Sequence, residues 1–384
     1  MKPLLSIIIP TKNRYHTLFS IVDTIISFNE LLIEIVIQDN SDDNSSALEF
    51  IQKREQNNSL KYFYSAEKLS VIENSDLAVL NSTGEYVCFI GDDDGVMPYI
   101  VDVVEWMKQN GIKALKSFKP NYYWPDQKSN YLSNNTSGNL KIKNFDYTIK
   151  KISTKKALDF TLNRGGTSME MLPCLYHGIV ERKVLEAIFE KCNTYFPGPS
   201  PDMANAIALT KFIDEYIYVD FPVAISGKSV KSTGGQGVLH KHISKIEDVS
   251  HLPKSTSKFW SNSIPKYWTG PTIWAESVLK AMENCEMGYS DTKFNYEYLY
   301  ATLYVFNYEN RKLIFKDFKH SILTFDFCVS YFYIFLNRVR IFFKNRFSSS
   351  IEKFSNIKNI GEAIKLICEK VDESKLVFNV NKKG

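Results

Sequence analysis

The chain has 384 residues, of which 23% are charged and 14% aromatic, with a formal net charge of +4. That length can bury a substantial core, that composition excludes a largely disordered chain, and so small a positive excess argues against a dedicated nucleic-acid binder. The excess is local, because residues 311–346 hold eight Lys and Arg against Asp317 and Asp326.

Taken in chain order, the apolar run Leu4–Ile9 is too short for a secretory leader and lacks a small-residue cleavage site, so it predicts a buried strand. Six cysteines lie far apart with no Cys-x-x-Cys pair, which points to a reducing, cytoplasmic setting. Pro10-Thr-Lys-Asn-Arg14 follows the strand where the chain should turn into a helix. A helix N-terminus beside an arginine suits an anion, although Thr and Asn there serve equally well as ordinary caps. Helix-length segments at 14–28, 45–56 and 70–82 alternate with apolar runs at 33–37, 60–64 and 86–90. This is the rhythm of an α/β fold with a mostly parallel sheet, whose ligands bind at the strand C-termini.

Two of those strands end in acids. The second runs into Gln38-Asp39-Asn40-Ser41-Asp42-Asp43, suited to hydrogen-bond a uracil or ribose edge; an EF-hand is excluded, since Asn44 and Phe50 stand where that loop needs Gly and Glu. The fourth ends in Gly91-Asp92-Asp93-Asp94-Gly95. Three adjacent carboxylates are costly without a cation or water, and in an extended chain Asp92 and Asp94 share a face while Asp93 points away. A hard ion such as Mg²⁺ or Mn²⁺ fits that pair, and a solvated acidic turn is the plainer alternative.

Residues 120–151, rich in Asn, Ser, Lys and Tyr, read as an irregular insertion or long hairpin. An apolar run at 174–180, a helix at 181–191, a proline-rich turn, a helix from Asp202 to Phe212, a strand at 216–219 and a Gly-rich loop at 232–237 follow. His177 either lies beside a backbone approach at Gly178 or is a satisfied core histidine. Asp202 is placed to cap its helix. Trp260, Tyr267, Trp268 and Trp274 serve either as an acceptor platform or as interior packing.

Residues 323–347 are broken by Asp326, Arg338 and Arg340 below the length of a membrane span. On a helical wheel Phe332, Phe335, Leu336, Val339, Phe342 and Phe343 oppose Asn337, Arg338, Arg340, Lys344 and Asn345. The pattern fits a helix in the headgroup region of an anionic bilayer, a helix packed on the core, or a dimer contact.

The opening turn, the acidic end of the second strand and the acid run, in this order and spacing, resemble the family 2 glycosyltransferases of the GT-A fold, of the kind that build bacterial surface polysaccharides. The resemblance covers roughly residues 4–225. It implies that Pro10, Thr11, Arg14, Asp39, Ser41, Asn74, Asp76, Asp92 and Asp93 surround the nucleotide, that Asp94 with Asp92 binds Mg²⁺ or Mn²⁺, and that His240 or His242 completes the metal shell. It places the catalytic base at Asp202. The implied reaction is an inverting transfer of a sugar from a nucleotide-diphosphate donor, a UDP-sugar, to a hydroxyl of a glycan or lipid-linked oligosaccharide. The expected location is the cytoplasm, either free or at the inner face of the cytoplasmic membrane.

The expected organisation is a catalytic domain at 1–225, an acceptor-side loop and linker region at 226–290, and a helical, basic and aromatic C-terminal region at 291–384. A sugar-nucleotide pyrophosphorylase lacks support because Pro10–Arg14 is not a Gly-rich basic loop, and a dehydrogenase because no Gly-x-Gly-x-x-Gly follows the first strand. The alternative is a catalytically silent protein of the same fold that binds carbohydrate or acts as a scaffold.

Overall fold

The computed structural model describes residues 2–127, 137–232, 243–288, 294–318, 322–347 and 351–380. The first half alternates β1 (Leu5–Thr11), α1 (Tyr15–Ile26), β2 (Ile33–Asp39), α2 (Ser45–Gln52), β3 (Leu60–Tyr64), α3 (Val71–Leu80), β4 (Tyr86–Phe89), β5 (Gly95–Val96), α4 (Ile100–Gln109) and β6 (Ala114–Phe118). Then come β7 (Asn121–Tyr123), β8 (Asn139–Lys143), β9 (Ile149–Ser153), α5 (Thr154–Leu162), β10 (Gly178–Glu181), α6 (Arg182–Cys192), α7 (Pro201–Phe212), β11 (Glu215–Pro222) and β12 (Ala224–Lys228). The remainder is β13 (Ser244–Lys245), β14 (Tyr267–Trp268), α8 (Gly270–Asn284), α9 (Tyr296–Phe306), α10 (Arg311–Ile314), α11 (Phe325–Phe347), β15 (Ile351–Phe354), α12 (Ile360–Cys368) and α13 (Val377–Val380).

The main sheet has eight strands in the order β3-β2-β1-β4-β10-β6-β11-β9, parallel except for β10 and β9. Its central strands are apolar on both sides because both faces are covered. Leu5, Ile7 and Ile9 of β1 join the core under α1 and α4, whereas Ile8 joins the core under α3, α6 and α7. Local chemistry sets the helix starts. Ser70 accepts from the Glu73 N–H while the Glu73 carboxylate accepts from the Ser70 N–H, and Pro201 opens α7.

A third core, built from α5, α7, α8 and α9 with Trp260, Tyr267, Phe327 and Ile334, stands beside the sheet. Residues 120–151, read from composition as an insertion or hairpin, contain the antiparallel pair β7–β8 and the edge strand β9. β15 pairs antiparallel with β8, α12 packs on α1, and Ile357, Ile360, Ala363, Ile364 and Ile367 enter the N-terminal core. Ile360, Ala363, Ile364 and Ile367 form an i, i+3, i+4, i+7 stripe that must be covered, and α1 covers it. Among the described residues no helix is long and apolar enough to cross a membrane.

Candidate active site

A cavity of 1340 Å³ opens along the C-terminal ends of β1 and β4 and reaches across to α7, α8 and the junction of α9 with α11. It exceeds the roughly 300–1,000 Å³ typical of small-molecule pockets, so it has room for two substrates side by side. Pro10, Thr11, Lys12, Asn13 and Arg14 line it with Asn40, Asn74 and Asp93, and so do Asp202, Asn205, Trp268 and Trp274. Lys228 and Lys231 add positive charge to the wall.

The acid run does not continue the strand. The Asp94 N–H donates to the Gly91 carbonyl at 3.1 Å, so Asp92 and Asp93 occupy a tight turn, and the alternation expected of an extended chain does not apply. Asp92 Oδ2 accepts from the Thr11 hydroxyl at 2.6 Å, and its Oδ1 lies 2.9 Å from the Arg14 guanidinium. Asp93 Oδ1 is 3.7 Å from Arg14, while its Oδ2 accepts from the N–H and hydroxyl of Ser229 at 2.8 and 2.9 Å. Asp92 and Asp93 therefore both face the arginine, and of the three acids only Asp93 belongs to the cavity wall.

Asp94 sits behind that wall. Its Oδ1 accepts from the Gly227 N–H, and its Oδ2 from the Gly91 N–H and the Tyr176 hydroxyl, with His177 Nε2 at 2.7 Å. Both oxygens accept hydrogen bonds that hold the turn. Gly227 is required here, since a Cβ would fall 1.6 Å from the Asp93 carbonyl oxygen.

Burial dominates the electrostatics. It pushes the Asp92 carboxyl up to about 7, with Arg14 pulling down against it and Asp93 adding to the rise. Asp93 is likewise raised, by burial first and then by the charge of Asp94. Burial also opposes ionisation of Asp94, but His177 and the Tyr176 and Gly91 donors outweigh it and hold the carboxyl below its usual range. Burial keeps the His177 imidazole below its ordinary value. Its Nδ1 lies 3.1 Å from the Lys119 ammonium.

These residues suit a hard cation in charge, with three buried carboxylates crowded beside Arg14. Asp92 Oδ1 also has no directed hydrogen bond despite its burial. Among the described residues no three acidic, histidine or cysteine side chains gather as a ready cage. A hard ion that takes one or two carboxylates and fills its shell from phosphate and water does not need one. His240 and His242 lie outside the described residues.

The other expected contacts divide. Asn74 reaches the wall, 8% exposed, and its Oδ1 has no hydrogen-bond partner. Asp39 is spent on the Tyr15 and Tyr62 hydroxyls, at 2.6 and 2.7 Å, and on the Ser41 N–H. Ser41 Oγ accepts from the Asn13 N–H. Neither Asp39 nor Ser41 lines the cavity; Asn40 between them does. Asp76 turns to the Thr194 hydroxyl and the Tyr195 N–H, tying α3 to the turn before α7, and burial raises its carboxyl to about 6. Asp202, in the first turn of α7, lines the cavity and accepts from the Ser200 hydroxyl and the Met203 N–H. Trp260, Tyr267 and Trp268 are buried in the third core with Trp274 packed against it, and Trp268 and Trp274 also line the cavity.

Sequence reading missed Gly227 and Ser229, which clamp the acid turn, Trp124, which donates to the Asp93 carbonyl at 2.8 Å, and Asn205 on the wall. Asn205 Oδ1 is buried without a partner, three residues beyond Asp202 on the same helix face. Only that i, i+3 spacing could have signalled it. The clamp comes from strands distant in sequence and left no local signature.

The cavity lies over parallel strand ends, beside a buried acid turn, where open α/β sheets bind their ligands. Residues 6–163 match the family model described as Glycosyl transferase family 2. Solved structures of TarS from S. aureus are similar at low identity. A 1–349 fragment in complex with UDP-GlcNAc shares 12% identity over 88% of this chain and 92% of that one, with a TM-score of 0.43. A second structure of the 1–349 fragment shares 14% identity over 59% of this chain, with a TM-score of 0.41, and the chain spans 60% of its length. A third TarS structure shares 12% identity over 83% of this chain and 56% of that chain, with a TM-score of 0.42. No curated protein matches the chain.

Proposed function

We propose that this protein transfers one sugar, with inversion, from a nucleotide-diphosphate donor of the UDP type to a hydroxyl of a glycan or lipid-linked oligosaccharide, in the synthesis of a surface polysaccharide. The observation that carries this reading is the single cavity wall shared by Arg14, Asn74, Asp93 and Asp202. The nucleotide lies over the strand ends, with Pro10 and Thr11 beneath it and the Asn74 Oδ1 available to a base or ribose donor. Lys12, Arg14, Lys228 and Lys231 face the diphosphate, which departs as an anion and is stabilised by fixed positive charge.

Asp93 and Asp92 would hold Mg²⁺ or Mn²⁺, while Asp94 accepts the hydrogen bonds that fix their turn. Bound there, the ion would neutralise charge on the leaving phosphate. Asp202 accepts the proton of the acceptor hydroxyl as that oxygen attacks the anomeric carbon from the face opposite the nucleotide. One such displacement inverts the centre. Trp268 and Trp274 offer flat apolar surface to the acceptor sugar.

The test is calorimetric titration of UDP with Mn²⁺ and then with EDTA, followed by screening of UDP-sugars for release of UDP. Metal-dependent binding without turnover on any donor and acceptor pair would favour the catalytically silent alternative. Absence of binding would sink the UDP assignment.

A further inference from the structure

Helix α11 packs on α9 through one face only. Phe327 and Ile334 are buried there, the Phe327 ring meets Tyr304 at 5.3 Å, and Arg338 donates to the Val305 carbonyl at 2.7 Å. Arg338 thus belongs to the packed side, not to a solvated basic face opposite the aromatics. The other side carries Phe325, Val329, Phe332, Leu336 and Val339, spaced 4, 3, 4 and 3 residues apart and 81%, 53%, 63%, 63% and 37% exposed. Tyr333 and Phe335 flank this stripe at 53% and 46% exposure, and Phe343, one turn beyond Val339, extends it at 53%. So broad an apolar surface on an otherwise ordinary exterior marks an interaction site.

We infer that α11 lies in the headgroup region of an anionic lipid bilayer, with the Phe325–Val339 stripe inserted among the acyl chains. Charge selects this occupant over a second copy of the chain. The surrounding segment, 311–346, carries eight basic residues against two acidic ones, so self-association through the stripe would set like charge against like charge. Arg340 is exposed beside the stripe, and the only carboxylate on the helix is Asp326 in its first turn. A coiled-coil seam relies on flanking charges of both signs over more heptads than this helix has, whereas aromatic flanks with nearby cations suit anionic headgroups. Arg338 also lines the active-site cavity. The helix that meets the lipid therefore borders the cleft, and an acceptor carried on that surface needs no long excursion to reach it.

The experiment is flotation of the full chain, without nucleotide, on vesicles of phosphatidylglycerol mixed with phosphatidylcholine and on phosphatidylcholine alone. The expected result is binding to the anionic vesicles that weakens with salt, and weaker binding to the neutral ones. The double variant Phe332→Ser, Leu336→Ser should lower partitioning on the order of 100-fold while leaving the circular-dichroism melt unchanged, since both positions are solvent-exposed. No flotation on anionic vesicles, flotation indifferent to the double variant, or equal salt-insensitive binding to neutral vesicles would each overturn the inference. A dimer seen by light scattering and dissolved by the same variant would assign the stripe to a second copy instead. Because no nucleotide is present, failure here leaves the donor-site reading intact, and failure of UDP binding leaves this one intact.

Discussion

Thr11 and Asp92 stand 81 positions apart in sequence, yet the threonine hydroxyl donates to the carboxylate at 2.6 Å. They meet because β1 and β4 are adjacent parallel strands whose C-terminal ends lie side by side. The bond ties the opening turn to the acid turn and fixes Asp92 toward Arg14. Thr11→Val keeps the shape and removes the donor. It should weaken metal-dependent UDP binding by about tenfold, the usual worth of a charge-assisted hydrogen bond, as read by calorimetry.

Of the three acids in the turn, Asp93 is the one on the cavity wall. Asp93→Ala should abolish the Mn²⁺-dependent part of UDP binding while leaving a weaker, EDTA-insensitive remainder held by Arg14 and the lysines. Full Mn²⁺ dependence surviving in Asp93→Ala would return the metal to Asp92 and Asp94.

Asp202 lines the cavity, and the proposed reaction gives it the acceptor's proton. Asp202→Asn should bind UDP as tightly as the parent chain and lower kcat by roughly 10²–10⁴, the span typical of a lost general base. Turnover within a few-fold of the parent would place the base elsewhere.

Asn74 Oδ1 is buried without a partner when the cleft holds no ligand. An unpaired buried acceptor costs about 1–3 kcal/mol, so Asn74→Ala should not lower thermal stability even though a packed side chain is lost. UDP affinity should nonetheless fall by about tenfold. A clear drop in Tm with unchanged UDP affinity would show that the side chain serves only the fold.

Glu34, on β2 and 2% exposed, is a carboxyl whose protonation should weaken the fold in acid. Burial pushes its carboxyl up, but Lys61, Ser6 and Thr83 all donate to it and bring it down to about 2, from an ordinary value of 4.5. A carboxyl lowered on folding contributes stability that is fully present above its unfolded value and is lost as pH falls toward 2. Glu34→Gln should therefore cost about 1–2 kcal/mol near pH 7, allowing for partial solvent screening, and should flatten the stability curve between pH 4.5 and 2. Urea titrations at several pH values measure both. An unchanged acid limb would assign that pH dependence to other carboxyls.

The periodic parts of the chain were legible in its residues. Strands at 60–64 and 86–90 and helices near 15–26 and 71–80 follow from apolar spacing and caps, because such patterns are satisfied locally wherever a sheet face is covered. The stripe Ile360–Ile367 carried the same signal, but its destination did not show. Nothing in its spacing distinguishes a helix on α1 from one in a separate appendage.

The candidate site divides along the same line. Sequence alone determined that Arg14, Asn74, Asp92, Asp93, Asp94 and Asp202 follow strand ends or open helices, since a parallel sheet places such residues at its ligand-binding edge. Which of them face the cleft was decided by tertiary structure. The turn at Asp92 and Asp93, closed by Gly227 and Ser229 from β12 and its end, swung Asp94 inward and left Asp93 on the wall. The tyrosines of α1 and β3 took Asp39, and the turn before α7 took Asp76. A buried carboxylate goes to whichever donors satisfy it, and those donors come from strands and helices far away in the chain, so no local reading of residue order could assign them.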